Sequence, residues 1–353
     1  MARIANSSAK LLPKGAVLLT TRAPVGYVAI AENEVTTNQG FRSLIPNDAT
    51  SSEFLYYLLK LNTEYLRSNA SGTTFGELSG STLKSLKFAF PPPREQRVIV
   101  SIIGSLDEKI ELNQLMNKAL EEIGKSIFRH WFIDSDFPTE KGKPYESSGG
   151  KMVYDEELGR EIPKGWKPGA LGEMCKITMG QSPPGDTYNE VGNGMPFYQG
   201  IRDFGFRFPQ KRVFCSSPTR LAEDGDILLS VRAPIGSLNV ASETCCIGRG
   251  VASIRHREKY QSFLYYLLMS TKADWNSFEA EGTVFGAVTK ADVNDFAIVM
   301  PPNELQSKFD SSVEPLDARV RLNEEESRHL SELRNSLLPK LMSGKIRAPV
   351  EVR

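Results

Sequence analysis

The chain contains one unit twice. GAVLLTTRAPVG at 15–26 lines up with GDILLSVRAPIG at 225–236, seven identities in twelve at an offset of 210. At the same offset GTTFG (72–76) meets GTVFG (282–286), and Pro91 and Pro92 meet Pro301 and Pro302. Gln96 meets Gln306, Leu106 and Asp107 meet Leu316 and Asp317, and Asn113 meets Asn323. FLYYLL recurs at 54–59 and 263–268, an offset of 209, so one residue was gained between anchors. Two chance turns do not produce matches spread over residues 15–113. Whatever one copy folds into, the other must largely fold into as well.

The second copy reaches further upstream. It begins near Ile162-Pro163-Lys164-Gly165-Trp166, and Trp166 shifted by 210 would fall before Met1. About 45 residues of the first unit are therefore expected to be missing, either from a shortened gene or because the start lies upstream.

Each unit reads as an α+β head followed by a helical tail. In the second head, Gly225 and Asp226 turn the chain into ILLSV (227–231), a buried strand that RAPIG then breaks. Residues 261–269 read as a short helix carrying FLYYLL, and FAIVM (296–300) as a strand stopped by the Pro pair. After each Pro pair, about 40 residues run almost without breakers. Ile99, Ile103, Leu106, Ile110, Asn113, Asn117, Leu120, Gly124 and Ile127 alternate by four and three. The second copy has Phe309, Val313, Leu316, Val320, Asn323, Ser327, Leu330, Arg334 and Leu337 in the same frame. That is a coiled-coil seam. A helix of that length spans roughly 60 Å, more than a small head can cover, so the two tails are expected to pack on each other. Asn113 and Asn323 sit either in the seam, where a polar residue sets register, or on a solvated flank. The expected division is a first head at 1–92, a helix at 93–133, a linker at 134–164, a second head at 165–302, a helix at 303–343 and a tail at 344–353. The linker reading follows from its Gly, Ser, Pro, Lys and Glu content.

Several chemistries are not indicated. Lys+Arg and Asp+Glu both number 43, which argues against a protein that coats nucleic acid without selectivity. The four cysteines (175, 215, 245, 246) form no C-x-x-C pair and read as reduced thiols of a cytoplasmic protein. No apolar run is long enough to span a membrane. His130, His256 and His329 have no partner at metal-ligand spacing, so no metal site is expected. Phosphate-binding loops, nucleophile elbows, methyl-donor turns and amino-methyltransferase motifs are not found; SPPG at 182–185 is not one.

The stretch 198–220 points elsewhere. It holds Arg202, Arg207, Lys211, Arg212 and Arg220 against one acid, Asp203, with Tyr198, Phe204, Phe206, Phe208 and Phe214 interleaved. Basic side chains neutralise phosphates, and Arg or Gln can read base edges. The alternation also fits core aromatics between solvated arginines, although that leaves the one-sided charge unexplained. Upstream, MGQSPPGDTYN (179–189) is a polar loop with base-contact residue types.

With these residues in view, the chain resembles the specificity (S) subunit of type I restriction–modification enzymes. Gly180, Ser182-Pro183-Pro184, Tyr188-Asn189, Gly192, Gly194, Pro196-Phe197 and Gln199-Gly200 are similar to the opening of that family's target-recognition domain. GDILL, RAPIG and Arg249-Gly250 continue it. Pro91 to Gln96 resembles its junction with the conserved helix, and GKPYESSGG (142–150) its linker. The resemblance implies two tandem target-recognition domains, each reading one half of a bipartite target in double-stranded DNA. Their long helices would pack as an antiparallel coiled coil that fixes the spacer. Two methyltransferase (M) subunits and restriction (R) motor-nuclease subunits would be the partners. S-adenosylmethionine, ATP and Mg2+ would be used by those partners, with no cofactor and no catalysis in this chain.

The expected DNA-binding residues are Gln181, Ser182, Tyr198, Arg202, Arg207, Lys211, Arg232, Arg249 and Thr283 in the second head, with Arg22, Arg42 and Thr73 in the first. Arg22 and Arg232 match across the repeat, so they suit phosphate contact or a structural salt bridge, not discrimination between half-sites. The expected seam is Ile103, Leu106, Ile110, Asn113, Val313, Leu316, Val320 and Asn323. The first head has no counterpart of 181–212, so it is expected either not to fold fully or not to read its half-site, and to expose apolar faces in residues 15–45. Two other readings compete: a stand-alone methyltransferase, disfavoured by the absent motifs, and a coiled-coil scaffold or truncated remnant with one working reader.

Overall fold

The computed structural model describes residues 10–72, 76–275 and 288–348. It divides into two compact units, one of residues 1–112 with 326–353 and one of residues 113–325. A long helix at Pro93–Phe128 and a second at Asn303–Met342 are each shared between both units.

In the first unit, β1 (Val17–Thr20) lies between β2 (Val28–Ile30) and β3 (Phe41–Leu44), all antiparallel. Alternation along β1 sends Val17 and Leu19 inward, and both are fully buried. A helix at Ser52–Leu61 starts on Ser51, whose hydroxyl accepts from the Phe54 amide at 3.1 Å. That helix buries Phe54, Leu55, Tyr57, Leu58 and Leu59 of the FLYYLL run. Ile99 and Ile103 of the first long helix and Leu338, Leu341 and Met342 of the second complete this core. The apolar exposure expected in 15–45 is thus confined to outward positions such as Tyr27 and Ile45.

The second unit repeats this sheet and adds to it. From residue 134 the chain is more ordered than a bare linker. Phe137 stacks on Tyr145 and Trp166, and β4 (Met152–Asp155) pairs with β5 (Arg160–Pro163). Strand β6 (Lys167–Ala170) precedes β7 (Cys175–Met179). A meandering sheet follows: β8 (Tyr188–Asn189), β9 (Met195–Tyr198), β10 (Phe214–Cys215), β11 (Leu221–Ala222) and β14 (Cys245–Ile247), in the order β11-β14-β9-β10-β8. Strands β12 (Ile227–Ser230), β13 (Leu238–Val240) and β15 (Val251–His256) reproduce β1, β2 and β3 in the sheet β13-β12-β15-β7. The added β7 covers the outer edge of β15, whereas among the described residues β3 pairs only with β1. Finally β16 (Ala297–Met300) pairs with β6 and leads into the second long helix.

Along that helix, Phe309 and Val313 are fully buried and Leu316 half-buried in the second unit's main core. Phe309 meets the rings of Phe128, Trp131, Phe132, Phe263 and Tyr266. Asn113 and Asn323 are buried, not on a solvated flank. The Asn113 amide donates to the Asn323 carbonyl at 3.4 Å, and the Asn323 amide to Asn117 Oδ1 at 2.8 Å. Asn117 in turn donates to Glu324 at 2.7 Å. Val320 is fully buried, as is Ile103 in the first unit, where Leu106 is half-buried and Ile110 buried. All four cysteines are free and buried, and burial pushes the Cys175 and Cys245 thiols up to about 12. No helix among the described residues is long and apolar enough to cross a membrane.

Candidate nucleic-acid interface

In the second unit, the loops leaving the C-terminal ends of β7, β9, β12 and β14 converge. Strands β9 and β14 run parallel, and β7 and β12 both run antiparallel to β15, so each pair ends on the same side. Glycines permit the crowding. A Cβ at Gly180 would lie 2.1 Å from the Gly248 carbonyl oxygen, and one at Gly250 2.2 Å from that of Gln199. Only backbone fits there, so three loops meet main chain to main chain.

The loops enclose a cleft of about 530 Å³. Ser182, Gln199, Arg202, Arg232 and Arg249 line it, with Arg212 on its wall. The six come from four separate loops. Arg212 is committed: its Nε and Nη2 donate to Asp203 Oδ1 at 2.9 and 2.8 Å. Asp203 is buried, and its Oδ2 accepts from the Gln199 amide at 3.4 Å, which shapes the 199–203 turn. Arg202, Arg232 and Arg249 are exposed and have no ion pair among the described residues. Three unneutralised guanidiniums beside polar Ser182 and Gln199 suit a polyanion whose bases carry hydrogen-bonding edges.

The expected residues separate on this geometry. Ser182, Arg202, Arg232 and Arg249 come together, and Gln181 is exposed on the adjoining loop, its amide donating to the Ile247 carbonyl. Lys211 lies outside the cleft and is ion-paired with Glu243. Two assignments are corrected. Tyr198 is 1% exposed and belongs to the core with Leu228, Ile247 and Val251. Arg207 is 2% exposed and bound to Asp317 and Glu121, so it cannot reach a phosphate. Thr73 and Thr283 lie outside the described residues. Gln199 was missed, although it sits between a core Tyr and a Gly in the opening motif. Its role depends on Gly250 folding against it.

The first unit offers less. Arg22, the counterpart of Arg232, is ion-paired with Glu77 at 3.1 Å. Gln39 stands where Arg249 would. Arg42 is half-buried on β3 and donates to the Phe41 carbonyl. Among the described residues no group of three or more His, Cys, Asp or Glu could hold a metal ion.

A family described as "Type I restriction modification DNA specificity domain" matches residues 3–122 and 163–332, the two copies of the repeat. The specificity subunit of the type I restriction enzyme MjaIX of Methanocaldococcus jannaschii is 32% identical, over 96% of this chain and 79% of its own length. That of the HindI enzyme of Haemophilus influenzae is 24% identical, over 96% and 88%. The type I S subunit of M. genitalium, solved by crystallography, shares the fold at a TM-score of 0.59 and 21% identity, covering 94% of this chain and 84% of that one.

Proposed function

This chain belongs to the family of type I restriction–modification DNA specificity subunits, and on that premise we propose that it reads a bipartite target, carrying out no chemistry itself. The observation that supports this is the cleft at the meeting of four loops, lined by Arg202, Arg232 and Arg249, which have no ion pair among the described residues. In this reading the cleft follows phosphates and base edges of one half-site, and the first head reads the other. The long helices form the antiparallel coiled coil that holds the half-sites apart. The opposed contacts of Asn113 with Asn323 and of Phe128 with Phe309 support that arrangement in the second unit. Exposed Leu115, Ile123 and Leu322 on the helices suit the docking of two methyltransferase subunits, with restriction subunits joining them in the cytoplasm. Those partners would bind S-adenosylmethionine, ATP and Mg2+.

The test is methylome sequencing of cells that express this chain with its methyltransferase subunit. A gapped motif with two different half-sites, absent when the chain is omitted, supports the reading. The pairing of Arg22 with Glu77 and the Gln39 in place of Arg249 favour a second reading in which only the second head discriminates. A single fixed half-site, or a gapped palindrome from two copies, supports that version. No motif at all refutes both.

A further inference from the structure

We propose that Arg207 and Arg334 are equivalent latches that lock each DNA-reading head onto the long helices and thereby hold the half-site spacing constant. The inference rests on the bipartite reading above.

Two members of the latch belong to the repeat. In the first unit the Tyr57 hydroxyl donates to Asp107 at 2.8 Å. In the second, its counterpart Tyr266 donates to Asp317, the counterpart of Asp107, at 3.1 Å. Each Tyr comes from the FLYYLL helix of a head and each Asp from the long helix that follows it.

The third member is an arginine that the repeat does not supply. In the second unit it is Arg207, from the loop between β9 and β10, whose Nη1 donates to Asp317 at 2.7 Å. In the first unit it is Arg334, on the second long helix, whose Nη1 donates to Asp107 at 2.5 Å. By the offset of 210 the counterpart of Arg334 is Gly124. A Cβ at Gly124 would lie 2.2 Å from the Tyr266 hydroxyl. The helix position that carries the guanidinium in one unit is thus kept bare in the other, where the guanidinium arrives from the head. One carboxylate site is filled from opposite directions.

The second latch is buried and costly. The Arg207 side chain is 3% exposed, its guanidinium lies 3.9 Å over the Tyr265 ring, and its Nε has no hydrogen-bond partner. Burial opposes its charge, but Tyr265, Asp317 and Tyr266 outweigh that and hold it protonated. Its Nη2 also donates to Glu121 at 3.3 Å, so one side chain grips both long helices. Apolar packing would stabilise such a junction at least as well. An ion cluster adds orientation, because the planar fork accepts few geometries. The same loop carries Arg202 and Arg212, and the Gln210 amide donates to the Asp203 carbonyl at 2.7 Å, so the cleft wall and the latch move together. The first head needs no such loop for its latch, because Arg334 comes from the helix.

The experiment is methylome sequencing with the methyltransferase subunit and Tyr57→Phe, Tyr266→Phe, Arg207→Lys and Arg207→Met chains. The Tyr→Phe pair preserves shape and reports even where Arg207→Met unfolds. One base pair of spacer moves a half-site by about 3.4 Å and turns it by roughly 35°. A loosened head can follow that and a latched one cannot. The expected result is unchanged half-site sequences with methylation of targets one base pair longer or shorter raised about tenfold over the wild-type chain. Arg207→Lys should lie between wild type and Arg207→Met. A spacer as strict in both Tyr→Phe variants as in wild type overturns the latch. Wild-type chain that directs no bipartite motif overturns the reading beneath it, and the latch with it.

Discussion

Removing the charge of the cleft should change how DNA binding responds to salt, and the size of the change follows from the structure. Arg202, Arg232 and Arg249 are exposed, line one cleft and are free of ion pairs among the described residues. Each that meets a phosphate displaces a counterion and contributes about 0.9 to the slope of log affinity against log salt. Replacing all three by Ala should lower the slope by roughly 2.7. Between 50 and 200 mM salt, a fourfold change, that amounts to roughly fortyfold of the wild-type loss of affinity. The assay is fluorescence anisotropy with a duplex carrying the site, titrated by the complex of this chain with its methyltransferase subunit. Single variants divide the roles. A phosphate contact lowers the slope by about 0.9 for every sequence. A base contact leaves the slope nearly unchanged and costs about 1–3 kcal/mol of discrimination at one position. An unchanged slope and unchanged affinity in the folded triple variant would refute the assignment of this cleft to DNA.

Three further outcomes are expected. Phe309→Ala removes the ring on which five other aromatic side chains converge, and should lower stability by about 3–5 kcal/mol in urea unfolding; a loss below about 1 kcal/mol would show that the junction repacks freely. His256 is buried, with Nε2 bonded to Gln306 Oε1 and Nδ1 accepting from the Glu258 amide, and burial, partly offset by Gln306, holds its pKa below the ordinary 6.5. The unfolded chain therefore binds the proton more tightly, so stability should be complete above pH 6.5 and decline as pH falls below it; a thermal-melt pH profile compared with His256→Gln checks this. Burial raises the Glu324 carboxyl despite the hydrogen bond from Asn117, so Glu324→Gln should raise the Tm at pH 8 and change it little near pH 4, as read by differential scanning calorimetry.

Much of the architecture is written locally. The repeat makes β1, β2 and β3 the counterparts of β12, β13 and β15, and the two FLYYLL runs form matching helices. The alternating four-and-three spacing marks Ile103, Val313 and Val320 for burial because helical periodicity decides which side chains share a face. The resemblance to specificity subunits rests on turn motifs whose glycines and prolines set backbone conformation in place. The fates of individual charges are not written locally. Arg202 and Arg207 stand five residues apart in one basic, aromatic stretch, yet the first is solvent-exposed and the second is buried. What separates them is Glu121 and Asp317, which lie 86 and 110 residues from Arg207 in the chain and reach it only in the folded unit. Likewise the repeat aligns Arg22 with Arg232, but Glu77 pairs with the first, while the second lines the cleft with no ion pair among the described residues. Period and turn chemistry act over a few residues, whereas desolvation and pairing of a guanidinium depend on whichever carboxylates the tertiary fold brings within about 4 Å. The repeated sequence therefore determines two heads and two helices, and the tertiary structure alone decides which arginines stay exposed in the cleft and which are buried against carboxylates.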